Sequence, residues 1–489
     1  MRFLLIIFAF LILQVKCLSQ PHSIHKADKE TYGHLSEIKS LKAETVQEII
    51  PLRFEKSELT ESVFGYLPYW EYPTAKNYLR YDLLTHIALF DFAADSLGNV
   101  FNPPYWPWTD VINKAHENGV KVILSTTNFE ASQMRQLLNS DSAKQNLFLN
   151  LKNKVEAYKL DGVNIDFEEY YSADRGDLLN NFMKQLTDSL HAAIPNCEVS
   201  FAGPAVNWSG WKLAGLANAC DYIFIMGYAF AGSWSDYTGS NAPLLGGTYN
   251  ITNTITKQYA DVIKTNPKKL ILGVPYYGNK WTTRSSTPHD STISYGKTTR
   301  FRDDVTASQT YGLLWENTEK TPWYRWKLND TTWYQVWFDN DTSLGMKYDL
   351  AKANNLKGIG MWALGYDGSR TELWDAIEKH VVEVDAAESE IVADKFILSQ
   401  NYPNPFNPET IISWQSAVGS YVTLKVFDVL GNEIATLVNE EKPEGVFKVE
   451  FNVKTVRHGR NAPSLSSGLY FYQLRAGEFT QTKKMLYLK

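Results

Sequence analysis

Leu160-Asp161-Gly162-Val163-Asn164-Ile165-Asp166-Phe167-Glu168-Glu169-Tyr170-Tyr171 is the stretch on which the fold turns. Its centre alternates apolar and polar residues at the period of a β-strand. Val163, Ile165 and Phe167 share one face, and Asn164, Asp166 and Glu168 share the other. If the apolar face packs on helices, the polar face points into a closed sheet. Three polar groups inside a core are costly without partners. They are tolerable at the carboxyl end of a barrel strand, where barrel enzymes carry their sites. The register therefore predicts a carboxylate pair at the mouth of a barrel.

Outward from this strand the same grammar repeats. Short apolar strands are expected at 63–66, 85–92, 121–126, 162–167, 198–202, 222–226, 270–274 and 358–362. Helical spacing lies between them: Leu147, Leu151 and Val155 recur at i, i+4, i+8, as do Leu178, Phe182, Leu186 and Leu190. Gly119 reads as a helix C-cap. Eight strands alternating with helices predict an α/β chain folded as a (β/α)₈ TIM barrel over residues 63–382. An open doubly wound sheet lacks its phosphate-binding glycine fingerprint here. Residues 279–340, rich in Thr, Tyr and Trp, predict a small, mainly antiparallel α+β insertion before the eighth strand. Residues 20–62 are polar and read as a lead-in, with a helix around 35–50. Residues 383–395 read as an acidic linker. Residues 396–489 alternate as short strands punctuated by Gly468 and Gly477, the pattern of a β-sandwich.

Composition narrows the function. The chain has 489 residues, 44% hydrophobic and 21% charged, which excludes wholesale disorder. Its 48 basic and 54 acidic residues give a net charge of −6, so no broad basic face awaits a nucleic acid. Fourteen of the 15 tryptophans fall between Trp70 and Trp374, as an aromatic core or a sugar-stacking cleft requires. Trp70, Trp106, Trp108, Trp208, Trp234 and Trp281 sit near expected strand-to-helix loops. Met1-Arg2 and an apolar run over 3–13 predict a signal peptide cleaved after residue 19, too short to span a bilayer. No later stretch predicts an integral span. Cys197 and Cys220 remain, either paired or as buried thiols; their spacing does not decide.

The polar strand face leaves three readings open from residues alone: end caps or ion-pair partners, a metal site, or acid–base catalysis. With two carboxylates and no histidine in the neighbouring sequence, a metal site is disfavoured, and no metal or cofactor is expected. No serine nucleophile elbow is present.

Asp161-Gly-Val-Asn-Ile-Asp-Phe-Glu168 resembles the Asp-Gly-x-Asp-x-Asp-x-Glu signature of family 18 glycoside hydrolases, the chitinase family. Further segments agree in order. Phe64-Gly-Tyr66 resembles the first strand, Thr85-His-Ile the second, and Met226-Gly-Tyr228 with Ala242-Pro-Leu244 the sixth strand and its loop. Gly273-Val-Pro-Tyr-Tyr-Gly resembles the seventh strand and Gly360-Met-Trp362 the eighth. The resemblance implies Glu168 as general acid/base, with Asp166, Asn164 and Tyr228 as its catalytic neighbours. It implies Trp362, Tyr66, Met226 and Phe92 as substrate-binding residues. Three departures stand out: Asn164 where the family has Asp, Ser125-Thr-Thr for a Ser-x-Gly-Gly turn, and Ala229 for an acidic residue. An amide at 164 is expected to donate to Asp166, keep it ionised and so raise the Glu168 pKa.

Gln400-Asn-Tyr-Pro-Asn-Pro-Phe-Asn-Pro408, Phe427-Asp-Val-Leu-Gly431, Ser467-Gly-Leu-Tyr-Phe-Tyr472 and Lys483-Lys-Met485 resemble the sorting domain of the type IX secretion system, with an insertion over 457–463. That resemblance implies a Bacteroidetes-type bacterium, partnership with the type IX machinery, and a secreted or outer-membrane surface location. A carbohydrate-binding sandwich is the alternative. The expected protein is a monomeric secreted hydrolase of β-1,4-linked N-acetylglucosamine polymers, most simply chitin. Peptidoglycan, N-glycan cores and a non-catalytic lectin-like role are the alternatives.

Overall fold

The computed structural model describes residues 23–34, 48–52, 59, 61–382, 397–398, 400–401, 404–416, 418–443, 445–454, 465–477 and 479–488. The expected signal peptide, the linker over 383–395 and the insertion over 457–463 lie outside these residues, as does most of the helix expected around 35–50. Two compact units divide after residue 384.

In the first unit, β1 (Ser62–Pro68), β2 (His86–Ala93), β3 (Lys121–Asn128), β4 (Gly162–Phe167), β5 (Glu198–Pro204), β6 (Tyr222–Met226) and β7 (Leu270–Pro275) pair in parallel. Five strands follow: β8 (Tyr277–Thr283), β9 (Thr292–Arg300), β10 (Leu314–Glu316), β11 (Thr321–Asn329) and β12 (Thr332–Trp337). The last parallel strand, β13 (Gly358–Trp362), joins β7 to β1 and closes an eight-stranded barrel. The strands β8–β12 form an antiparallel sheet of order β10-β11-β12-β8-β9, with a helix over Phe301–Tyr311 beside them. This is the α+β insertion the Thr- and Trp-rich stretch foretold. Trp281, Trp323 and Trp337 form its small apolar core.

The barrel is filled as its alternation requires. Phe64, Tyr66 and Phe224 meet inside it, with Phe224 4.9 Å from the Tyr66 ring and 5.4 Å from Phe64. Room for Phe224 comes from two glycines. A Cβ at Gly273 or Gly360 would stand 2.3 or 2.4 Å from the Phe224 ring. Outside, apolar helical stripes pack on the strands; Leu147, Leu151 and Val155 are all buried on the helix Asp141–Ala157, which Ser140 caps.

The amino end of the barrel is sealed by polar groups. Glu198, the first residue of β5, accepts from His86 Nε2 at 2.9 Å, Lys121 Nζ at 2.8 Å and the Tyr222 hydroxyl at 2.9 Å. Burial opposes the Glu198 charge, but His86 and Lys121 outweigh it and hold this carboxyl well below the usual range.

In the second unit, β14 (Ile397–Leu398), β15 (Glu409–Ser416) and β18 (Gly445–Asn452) form one antiparallel sheet. The other has the order β17-β16-β19-β20, with β16 at Ser420–Phe427, β17 at Glu433–Lys442, β19 at Gly468–Ala476 and β20 at Phe479–Tyr487. Trp414 and Phe451 from the first sheet share a core with Leu424, Tyr472 and Leu474 from the second, making a sandwich. The turn at 428–432 is built by Asp428, whose side chain accepts from the backbone of Leu430 and Asn432, while Gly431 takes a φ of +83°.

Candidate active site

The polar face of β4 points inward, as its alternation demands. Asn164 and Asp166 are fully buried, and Glu168, just beyond the strand, is 5% exposed. Tyr228 stands past the carboxyl end of β6, and Trp362 ends β13. These groups meet at the mouth, and one side chain touches all but Asn164: His25, from the helix Ile24–Tyr32 near the N-terminus. Its ring stacks on Trp362 with centroids 3.8 Å apart and a 27° interplanar angle. His25 Nδ1 lies 2.6 Å from Asp166 Oδ2 and 3.3 Å from Glu168 Oε1, and Nε2 lies 2.8 Å from the Tyr228 hydroxyl.

Sequence reading expected residues 20–62 to be a polar lead-in, with no histidine near the carboxylates. Within that stretch, residues 23–34 pack into the barrel mouth, and tertiary packing brings His25 to the carboxylates from far along the chain. The signal was present, however. His25, Asp28, Lys29 and Tyr32 recur at i, i+3, i+4 and i+7, one face of a helix. Ser23 caps that helix by accepting from Lys26 N, and its hydroxyl donates to Glu168 Oε1 at 2.6 Å. Asp28 accepts from Trp362 Nε1 at 2.9 Å and from the Tyr366 hydroxyl at 2.8 Å. Lys29 reaches Asp91 at 2.5 Å, and Arg300 lies 4.1 Å over the Tyr32 ring.

The electrostatics follow from burial. Loss of water pushes the Glu168 carboxyl up to about 8, and Asp166 adds to the rise against the opposing pull of His25 and Ser23. Glu168 is thereby biased toward its protonated form. Burial works against a charged His25, but Asp166, Glu168 and Asp28 outweigh it, so its pKa is raised. A charged imidazole donates from both nitrogens, to Asp166 and to the Tyr228 oxygen. Burial also keeps the Tyr228 and Tyr66 phenols well above their usual pKa, as neutral donors.

Two expectations about neighbours need correction. Asn164 does not donate to Asp166. Its Nδ2 donates to Ser200 Oγ at 2.9 Å, and its Oδ1 accepts from the Tyr66 hydroxyl at 2.8 Å and Ser125 Oγ at 3.4 Å. Asn164 holds the strands together beneath the carboxylates, and the Asp166 Oδ1 is left without a hydrogen-bond partner among the described residues. Phe92 is not at the mouth. In the β2–β3 ladder Phe90 pairs with Ser125 and Phe92 with Thr126, so Asp91 is an extra residue. A bulge of this kind shifts the side-chain phase. Phe90 turns inward, 4.8 Å from Trp362, and Asp91 accepts from Thr127 Oγ1 at 2.5 Å. Phe92 turns outward against Trp106 and under Lys154. Tyr66 lies 5.7 Å from Trp362, and Met226 ends β6 in phase with Tyr222 and Phe224, on the inward face.

Of the loop tryptophans, Trp70 joins the site, its ring 6.3 Å from Trp362, whereas Trp108 and Trp281 are wholly buried. Cys197 and Cys220 are both free, buried thiols. His25, Asp166 and Glu168 bring ligand-type atoms within 4.8 Å of one another. The 2.6 Å between His25 Nδ1 and Asp166 Oδ2 is a proton-sharing distance, shorter than the roughly 3.3 Å that separates two ligands of one tetrahedral ion. Among the described residues no helix is long and apolar enough to cross a membrane.

The comparisons with known proteins agree with this geometry. Residues 400–487 match the secretion system C-terminal sorting domain, which implies a secreted or surface-attached bacterial protein. The chain is 29% identical to human di-N-acetylchitobiase over 315 residues, covering 55% of this chain and 75% of that one. It is 24% identical to the cortical fragment-lytic enzyme of Bacillus subtilis over 295 residues, covering 58% of this chain and 65% of that one. The fold is that of the GH18 chitinase from Cycas revoluta, with a TM-score of 0.57, 20% identity and coverage of 65% of this chain and 99% of that one. The spore cortex-lytic enzyme SleL of Bacillus cereus gives a TM-score of 0.56 at 17% identity, covering 74% of this chain and 85% of that one. Residues 62–367 match glycosyl hydrolases family 18, and with the carboxylate-bearing strand seated at the mouth of a closed barrel, the chain belongs to that family as a chitinase-like glycoside hydrolase.

Proposed function

We propose that this protein cleaves β-1,4-linked N-acetylglucosamine polymers, most simply chitin or its oligosaccharides, with retention and with help from the substrate's own acetamido group. The observation that carries this reading is the convergence of a protonated Glu168, Asp166, the Tyr228 hydroxyl and the Trp362 face on one ring-sized place. Glu168 gives its proton to the glycosidic oxygen as the bond to the anomeric carbon breaks. The acetamido oxygen attacks that carbon and forms an oxazolinium ion. Asp166 accepts the acetamido N–H and balances the developing charge, and Tyr228 donates to the acetamido oxygen. Water, deprotonated by Glu168, then opens the ring. This is the exception to the two-carboxylate scheme, with the substrate as nucleophile. Trp362 and Tyr66 line the sugar, and Met226 packs beneath it.

Peptidoglycan is the second substrate reading, favoured by the likeness to a cortical fragment-lytic enzyme. Product analysis on chitin oligomers and on purified peptidoglycan, side by side, separates the two. Equal cleavage of oligomers lacking the acetyl group would overturn the mechanism. For the tail, we propose type IX export. Removing residues 396–489 then traps the protein in the periplasm, whereas normal export with weaker polymer binding would favour a sugar-binding sandwich.

A further inference from the structure

We propose that residues 23–33 are an intramolecular inhibitor: the chain carries its own N-terminal helix seated in the sugar site, and substrate binds only when that helix is cleaved away or displaced. The inference rests on the hydrolase reading for the identity of the displaced ligand.

The contacts of the leader helix duplicate those allotted to the sugar. The imidazole of His25 lies flat on Trp362, where a pyranose would stack. Its two nitrogens take Asp166 and Tyr228, the acceptor and donor that an acetamido group would use. Ser23 takes Glu168 Oε1, the atom that must reach the glycosidic oxygen. Asp28 takes the indole N–H of Trp362. A ring on that face of Trp362 leaves no space for a second, so leader and substrate exclude one another.

The helix lies before the residues that match the family, which begin at 62. At nine residues it is too short to be stable alone in water, so docking is what orders it. The chain returns to the barrel at 48–50, where Asn113 accepts from Ile50 N and donates to Glu48 O, each at 2.9 Å. Leader and barrel belong to one chain, so docking is intramolecular and modest intrinsic affinity suffices. The seat is not sealed. A groove of about 590 Å³ runs beside the helix past Lys26, Lys29, Tyr69, Asn128 and Glu130, and it offers a polymer an approach from which to compete.

The test uses the full chain with a specific protease site inserted within residues 35–47. Hydrolysis and calorimetric binding of the N-acetylglucosamine trimer are measured before and after cleavage, and hydrogen exchange is followed at the amides of 24–32. The expected result is protected amides in the intact chain, and a rise of about tenfold or more in kcat/KM and in trimer affinity on cleavage. His25→Ala combined with Asp28→Ala should reproduce the rise without cleavage. Equal affinity and kcat/KM before and after cleavage would overturn the proposal, as would leader amides that exchange at free-peptide rates in the intact chain. Trimer affinity that rises on cleavage with no turnover by either form would uphold the inhibitor and overturn the hydrolase reading.

Discussion

Two carboxylates, Glu168 buried and Glu198 half-buried, stand in one barrel, and the protein treats them in opposite ways. Glu198, at the amino end of β5, is surrounded by His86, Lys121 and Tyr222, so its charge is held and its pKa lies well below the usual range. Glu168, past the carboxyl end of β4, is buried beside Asp166 and is pushed up to about 8. Burial opposes ionisation in both. What differs is the balance: His86 and Lys121 outweigh desolvation at Glu198, whereas at Glu168 His25 and Ser23 do not, and Asp166 adds to the rise. A carboxylate whose cations outweigh its desolvation closes the bottom of a barrel; one whose desolvation prevails favours its protonated form.

The sharpest way to break this comparison is at the mouth. Glu168→Gln should lower kcat on N-acetylglucosamine oligomers by about a thousandfold with little change in melting temperature. A large loss of stability instead would mean the upper carboxylate is structural.

At the bottom the signs reverse. Glu198→Gln should cost about 2 kcal/mol of stability at pH 7, read from the urea midpoint, because it leaves His86 and Lys121 without their half-buried partner. Since the folded pKa of Glu198 is depressed, its contribution is present above its ordinary value of 4.5 and is lost as pH falls through the lower folded value. The difference in stability between wild type and the variant should therefore shrink in acid.

The leader gives a smaller effect of opposite sense. The seated His25 has a raised pKa, facing Asp166 and Glu168 from β4 and its end, Tyr228 beyond β6, Tyr66 from β1, and Asp28 of its own helix. Its hold is strongest below its free value of 6.5 and weakens as pH rises through the seated value. Hydrogen exchange at 24–32 in the intact chain should speed up severalfold across that window. Exchange independent of pH would show that the imidazole charge does not secure the leader.

The subtlest change is Asn164→Asp, which adds a carboxylate one inward position below Asp166. It should move the acidic limb of the pH–rate profile by about one unit. An unmoved limb would mean that the Tyr66 and Ser200 hydroxyls absorb the new charge.

Much of this could be read beforehand. The alternation of Val163 to Glu168 fixed which side chains enter the barrel, and all eight barrel strands fall where apolar runs alternate with helical spacing. Phe92 escaped that reading because a bulge is a pairing property: Asp91 is extra only relative to β3. The partner of Asn164 escaped it as well, since Ser200 and Tyr66 come from other strands.

The sequence by itself determined the barrel and the face on which Asn164, Asp166 and Glu168 lie, because period-two and helical spacings are local constraints on a chain; Glu168 as the acid rests on the family resemblance. Only the tertiary structure decided what Glu168 meets. The seating of Ser23, His25 and Asp28 against residues more than a hundred positions away, and the burial that raises Glu168, depend on through-space packing, which no local pattern encodes.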